Sequence, residues 1–234
     1  MLSTPSQSLL CCFQHMSDPR HRRGIRHPFP SLMAAMLLGL ICRQPDFASI
    51  ARWTRHHWGI LREALGFTQS YPPHATTFER VAERFSVAEF RAALATWLSR
   101  ILGDSELVAA VDGKTSKQAL NAQGDPLHCV NVFAHEARLV LADWPVGEGQ
   151  GTEADVLREH LDELLTAFPS LRVLTGDAAY CQRPLARAIV EAGRDYVLAI
   201  KENQPDLLEV AQTTFSGPAR PADALAREKN EARS

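Results

Sequence analysis

Asp112 closes the apolar run LVAAV and Asp177 closes the run RVLTG. A carboxylate at the carboxyl end of a buried strand is costly unless a cation or donor pairs with it. Two such ends in one sheet can share divalent ions. The chemistry this pairing suits is metal-dependent cleavage of phosphate esters, in which hard oxygen ligands hold a Mg²⁺ pair about 4 Å apart over the reacting phosphate. Taken alone, either aspartate reads as a helix or turn cap. Taken together, with a third strand-like run DYVLAI at 195–200, they favour a shared site. Gly113 allows a close turn after the first acid. Lys114 and Lys117 are placed either to meet phosphate oxygens or to stand as solvated loop lysines.

The elements that must position these acids follow from the hydrophobic pattern. Neither apolar run alternates, so both read as strands covered on two faces by helices, the pattern of an α/β sheet. After Gly103 the order is strand 107–111, a hairpin of 128–134 and 138–146, helix, strand 172–176, helix, strand 196–200 and helix. That is the order of an RNase H-like mixed sheet flanked by helices. In it the first and fourth strands are neighbours, so a separation of 65 residues between Asp112 and Asp177 is no obstacle. Residues before Gly103 read as all-helical. One helix starts at Ser31, a second runs unbroken from Asp46 to about Phe67, a third is capped by Thr76 or Thr77, and a fourth opens with a Ser86 to Glu89 capping box.

With 234 residues and 45% apolar content, the chain is long enough for one large domain or two small ones. Five cysteines without a CxxC pair suggest neither a disulfide framework nor a Cys-rich zinc site, and fit a reducing cytoplasm. The apolar stretch Leu32 to Cys42 is too short to cross a bilayer, so no membrane association is expected. The net charge of −2 hides a division: residues 1–100 carry 12 Arg, no Lys and 6 acids, a formal +6, leaving −8 for the rest. The basic half contains an extended arm with Arg20, Arg22, Arg23 and Arg26, followed by a helix bearing Arg52 and Arg55. This arrangement points to DNA, although a solvated helical face accounts for the charge alone equally well. His56 and His57 lack a third ligand at metal spacing. The loop GEGQG lacks the Lys-Ser/Thr of a phosphate loop. Glu148 or Glu153 beside it stays open as an auxiliary acid.

Three strings, VDGKTSK (111–117), GDAAYCQ (176–182) and DYVLAIKENQPDL (195–207), resemble the H-repeat-associated family of bacterial insertion-sequence transposases, within the DDE superfamily. DPRHRRGIRHPF and PPHATTFERV in the front half resemble its helical region, and the likeness spans roughly residues 17–210. The resemblance implies that Asp112 and Asp177 are the first and second metal-binding acids. They would hold two Mg²⁺, or Mn²⁺, for DNA cleavage by water and strand joining by the freed 3′-hydroxyl. It implies a packing role for Cys181 and Gln182. Lys201, with Asn203 and Gln204, would position the DNA backbone or close the site. In the family a third acid, a Glu, lies in an HGRxE-type segment downstream, and no such segment precedes Ser234. The expectation is therefore a truncated, inactive transposase, with Glu209, 32 residues past Asp177, as the alternative third acid. The implied organisation is a lead-in (1–17), a helical DNA-binding region (18–102), a partial RNase H-like core (105–215) and a polar tail (216–234). Expected partners are transposon ends, target DNA, and a second copy or a full-length transposase. The expected location is cytoplasmic and nucleoid-associated. The rival expectation is a non-catalytic DNA-binding remnant or inhibitor.

Overall fold

The computed structural model of the protein describes residues 9–23, 25–120, 124–147 and 151–216, apart from the side chains of Lys117 and Gln118. Lys117 as a phosphate ligand, Glu148 as an auxiliary acid and the tail from 217 onward lie outside the described residues. The chain divides into two compact units, one of residues 1–105 with 163–170, the other of 106–162 with the chain from 171 onward.

The first unit holds α1 (Leu9–Phe13), α2 (Phe29–Ile41), α3 (Phe47–His56), α4 (Trp58–Ala64), α5 (Ala75–Ala82) and α6 (Val87–Leu102). Helix α2 begins two residues ahead of Ser31, because Pro30 is well suited to a first turn where no backbone donor is needed. Ser31 is therefore not a cap. Its buried hydroxyl instead donates to the Leu65 carbonyl at 2.5 Å. Asp46 caps α3 by accepting the Ser49 N–H at 2.6 Å. The single helix expected to run on from Asp46 is broken at His57, whose ring Nδ1 lies 2.9 Å from the Trp53 carbonyl oxygen. Helix α5 is capped by the His74 ring rather than by Thr76 or Thr77. Ser86 caps α6 as its sequence implies, but the Glu89 carboxylate turns away to accept from the Ser17 backbone and hydroxyl at 2.7 and 3.1 Å. The core of this unit gathers Phe13, Leu32, Met33, Ile50, Phe78 and Val81, all essentially inaccessible to solvent.

The second unit is built on β1 (Leu107–Leu120), β2 (Pro126–Ala134), β3 (Leu139–Pro145), β4 (Leu171–Gly176) and β5 (Asp195–Leu198). Its helices are α7 (Glu153–Glu159), α9 (Arg183–Glu191) and α10 (Pro205–Phe215); α8 (Leu161–Ala167) belongs from Glu163 onward with the first unit. The sheet order is β3-β2-β1-β4-β5. The pairs β1–β2 and β2–β3 are antiparallel, while β1–β4 and β4–β5 are parallel. This is the RNase H-like mixed sheet. Helices α7 and α9 pack on each other and reach β2 and β5 respectively, burying Val156, Leu157, Leu185 and Ile189. A Thr152–Asp155 capping box starts α7.

Two expectations about the strands change. Along β1, Leu107, Ala109 and Val111 are buried while Val108 and Ala110 are half-buried, so this strand is not equally covered on both faces. And β1 does not stop at Val111: it continues against β2 to Leu120, with a register shift between Thr115 and Leu120. Asp112 thus ends only the part of β1 that pairs with β4. No described helix is long and apolar enough to cross a membrane.

Phe78 is fully enclosed, and Phe78→Ala is expected to destabilise the helical unit by about 3–5 kcal/mol through lost transfer energy and a residual cavity. Urea unfolding followed by tryptophan fluorescence checks this.

Candidate active site

The last pair in the parallel ladder of β1 and β4 is Val111 with Gly176. The next residues are Asp112 and Asp177, on strands about 4.8 Å apart. Both line one open cavity of about 450 Å³ at the carboxyl ends of β1, β4 and β5, together with Thr175, Val197 and Ala199. The two acids lie on its rim in different states. Asp112 is exposed and pairs with the Lys114 ammonium, two residues on along the same strand, at 2.5 Å. Such an exposed pair contributes no more than about 1 kcal/mol, so a stronger cation can replace it. Asp177 turns its Oδ1 onto the Ala179 N–H at 2.9 Å, shaping the loop that follows β4.

That loop is fastened from three sides. Asn203 donates from Nδ2 to the Ala178 carbonyl at 2.8 Å, and Gln204 donates from Nε2 to the Cys181 carbonyl at 3.1 Å. Gln182 donates to the Ala179 carbonyl at 3.2 Å and to Thr152 Oγ1 at 3.3 Å. Two of the three conspicuous polar residues in the KENQP string therefore brace the second acid's loop through its backbone. Lys201, the third, is exposed.

Behind the acids lies a network that the sequence showed only in part. The Tyr180 hydroxyl donates to Glu153 Oε2 at 2.7 Å, His128 Nε2 lies 2.7 Å from Glu153 Oε1, and His128 Nδ1 lies 2.8 Å from Thr115 Oγ1. The Glu153 carboxylate sits where a Cβ on residue 113 would be, so any side chain directly after Asp112 would have to displace that carboxylate from its bonds to Tyr180 and His128. Tyr180 is 1% exposed. Burial first, then its bond to Glu153, then the charges of Glu153, Asp112 and Asp177 hold its hydroxyl far above the usual phenol range. The phenol thus bonds one acid and feels the charge of two more. Tyr180 and His128 had no motif of their own. Their only sequence signals were a tyrosine three residues past Asp177 and a histidine at the start of the hairpin.

Other residues singled out in the sequence fall apart from this cavity. Glu209 is exposed on α10 and does not line it. Among the described residues, no group of three His, Cys, Asp or Glu side chains is placed to hold a metal ion. What the cavity offers is a pair of carboxylates. Their hard oxygens suit Mg²⁺, which keeps several water or phosphate ligands of its own. In the helical unit, Arg20 is held by both oxygens of Asp18, at 2.8 and 2.7 Å, and donates to the His27 carbonyl. Arg20, Arg23 and Arg26 line one cavity together, and Arg22 does not. Arg52 and Arg55 are exposed on α3 and also lie outside it, with Arg52 donating to Ser49 Oγ at 2.8 Å.

Two outcomes are expected from the network. Gly113→Ala should displace Glu153 and destabilise the protein by about 1–3 kcal/mol, and Glu153→Ala in the same chain should recover part of that loss. A double-mutant cycle by thermal unfolding measures the coupling. Tyr180 is held neutral by the fold, so its contribution is fully present below about pH 10 and is lost as rising pH ionises the unfolded chain first. Stability measured at about pH 8 and about pH 11 should therefore fall more in the parent than in Tyr180→Phe.

Comparison with known proteins agrees with this architecture. Residues 10–98 match the family described as DDE_Tnp_1-associated, and residues 103–233 match the family described as Transposase DDE domain. The chain is 32% identical over 200 residues to the "Uncharacterized protein in dhlA 3'region" of Xanthobacter autotrophicus, covering 83% of this chain and 66% of that one. It is 24% identical over 208 residues to the "H repeat-associated putative transposase YhhI" of Escherichia coli (strain K12), covering 86% of this chain and 54% of that one. The chain therefore spans about half to two thirds of the length of these relatives. Among solved structures, the one titled "Crystal structure of the Mos1 Strand Transfer Complex" aligns with a TM-score of 0.30 and 10% identity, over 92% of this chain and 72% of that one. At that distance the strand order, not the overlay, carries the fold. With its second unit inside a matched region that spans more than half of the sequence, the chain belongs to the family of transposases that carry the DDE domain.

Proposed function

We propose that this polypeptide acts in insertion-sequence transposition, through metal-dependent cleavage of DNA strands at transposon ends and joining of the freed 3′-hydroxyl to target DNA. The observation that carries the reading is the placement of Asp112 and Asp177 in adjacent positions on one open rim. Family membership supports the reaction class. In it, water and then a 3′-hydroxyl attack a backbone phosphorus, and one P–O bond forms as another breaks.

Asp112 and Asp177 are the residues that would hold magnesium. When bound, the ion would polarise the scissile phosphate and stabilise the leaving oxygen. The chain's own part is positional. Lys114 neutralises Asp112 while no stronger cation is present; once released, its ammonium would be free to pair with a phosphate oxygen. Asn203, Gln204 and Gln182 keep the Asp177 loop rigid, so the second acid stays in register with the first. Lys201 and the arginines of the arm supply backbone contacts that fix DNA without reading its sequence.

A second reading, DNA binding without cleavage, is favoured by the presence of only two carboxylates around the cavity among the described residues. One experiment separates the two. Calorimetric titration with Mg²⁺ should show binding that Asp112→Asn and Asp177→Asn each abolish, and that Lys114→Ala tightens by about fivefold, the equivalent of the lost surface pair. If duplex DNA is then nicked in a Mg²⁺-dependent and Asp112-dependent manner, the catalytic reading holds. Binding of DNA and magnesium without nicking selects the second. An Asp112→Asn protein that binds magnesium like the parent rejects the metal site. Duplex affinity should also fall steeply with salt, and Arg22→Ala with Arg23→Ala should weaken it, as fluorescence anisotropy at two salt concentrations would show.

A further inference from the structure

The helical unit contains a cavity of about 550 Å³ between the basic arm and the segment that leads into and along α5. Arg20, Arg23, Arg26, Arg80 and Arg84 line it, and no carboxylate does. Arg20 is already committed to Asp18 and to the His27 carbonyl, which ties the two ends of the arm together and gives the cavity a fixed wall. Arg23, Arg26, Arg80 and Arg84 therefore share one concavity with no acid on the lining to neutralise them. Like charges gathered in one concavity cost free energy unless an anion is meant to fill it.

A second feature belongs to the wall of the same cavity. His27 also lines the cavity, is only 4% exposed, and has a ring Nδ1 with no hydrogen-bond partner. Its ring is held edge-on between Phe67 and Tyr71, at centroid distances of 5.7 and 5.6 Å. Burial first, then the charges of Arg20 and Arg26, keep its pKa below the usual imidazole range. Its solvent-inaccessible Nδ1 is left without a protein partner, a costly arrangement in the wall of this cavity.

The size and the aromatic wall narrow the ligand. The volume exceeds that of a lone phosphate and falls within the range of small-molecule pockets. Tyr71, 44% exposed, lines the same cavity. An aromatic ring can engage a base only where the base face is free, as it is in unpaired strands. We infer that this cavity binds a nucleotide of an unpaired DNA strand, its phosphate among the arginines and its base against Tyr71. The inference rests on DNA as the partner, as proposed above, and adds a site of its own for a strand end or distorted junction.

The test compares anisotropy of a labelled oligothymidine with that of a labelled blunt duplex of equal length, using the full chain at one low salt concentration. Arg80→Ala with Arg84→Ala should weaken oligothymidine binding about tenfold or more. The charge-matched Arg43→Ala with Arg62→Ala, both exposed and outside the cavity, should weaken it clearly less. Tyr71→Ala should cost about fivefold or more on the oligothymidine and leave the duplex unchanged; Tyr71→Phe should retain parent affinity for both. Circular dichroism confirms that each variant folds. If both arginine pairs cost the same, or if Tyr71→Ala affects neither DNA while the duplex still binds, this inference is overturned and the DNA reading stands. If neither DNA binds the parent chain, both fall together.

Discussion

The parallel pairing of β1 with β4 is the constraint on which the rest of the second unit depends. Its register sets Val111 opposite Gly176 and so brings forward two acids 65 residues apart as immediate neighbours. A slip of one residue would turn one carboxylate to the opposite face of the sheet and dissolve the pair. The cavity exists because β4 and β5 end at Gly176 and Leu198, while β1 continues against β2 to Leu120. Asp112 therefore stands at a step in the sheet, with a backbone partner in Asn131 on one side and open space on the other.

Charge is treated differently at the rim and behind it. At the rim, Asp112 is solvated and its pair with Lys114 is weak, so the acid can change partners at little cost. Behind it, the partly buried Glu153 carboxylate is approached on one oxygen by Tyr180 and on the other by His128. Removing either donor would leave a charge with too few partners, which is the expensive case. The rigid part of the site is thus its support, and the adaptable part is its surface. Asn203, Gln204 and Gln182 extend the same principle to the Asp177 loop, using amides that satisfy backbone carbonyls.

In the helical unit the corresponding device is the fastening of an irregular basic arm to a well-packed core. Glu89 takes the Ser17 backbone and hydroxyl, Asp18 takes Arg20, and Arg20 takes the His27 carbonyl. An arm with so many arginines would otherwise spread away from itself. Held in place, it contributes Arg20, Arg23 and Arg26 to the lining of one concavity, which a free arm could not do at the same entropic cost.

The amino-acid sequence by itself determined the α/β class, the order of the elements, the helical front half and the two acids, because these follow from local hydrophobic pattern and from three motif strings. Asp112 was legible because a charge interrupts an apolar run, and Ser86 because capping is a local act. The unbroken helix expected through His57 failed where the chain turns at His57, whose ring reaches the Trp53 carbonyl, which a hydrophobic pattern cannot register. Asn203 and Gln204 were expected to position the DNA backbone or close the site; their amides are used on a loop 23 to 25 residues earlier in the chain, a pairing no local pattern shows. Only the tertiary structure decided that Glu153 occupies the space left by Gly113, that Tyr180 bonds to Glu153, and that Arg80 and Arg84 join the arm around one cavity. These are meetings of side chains from distant segments, and nothing in their local sequence differs from that of an ordinary solvated or core residue.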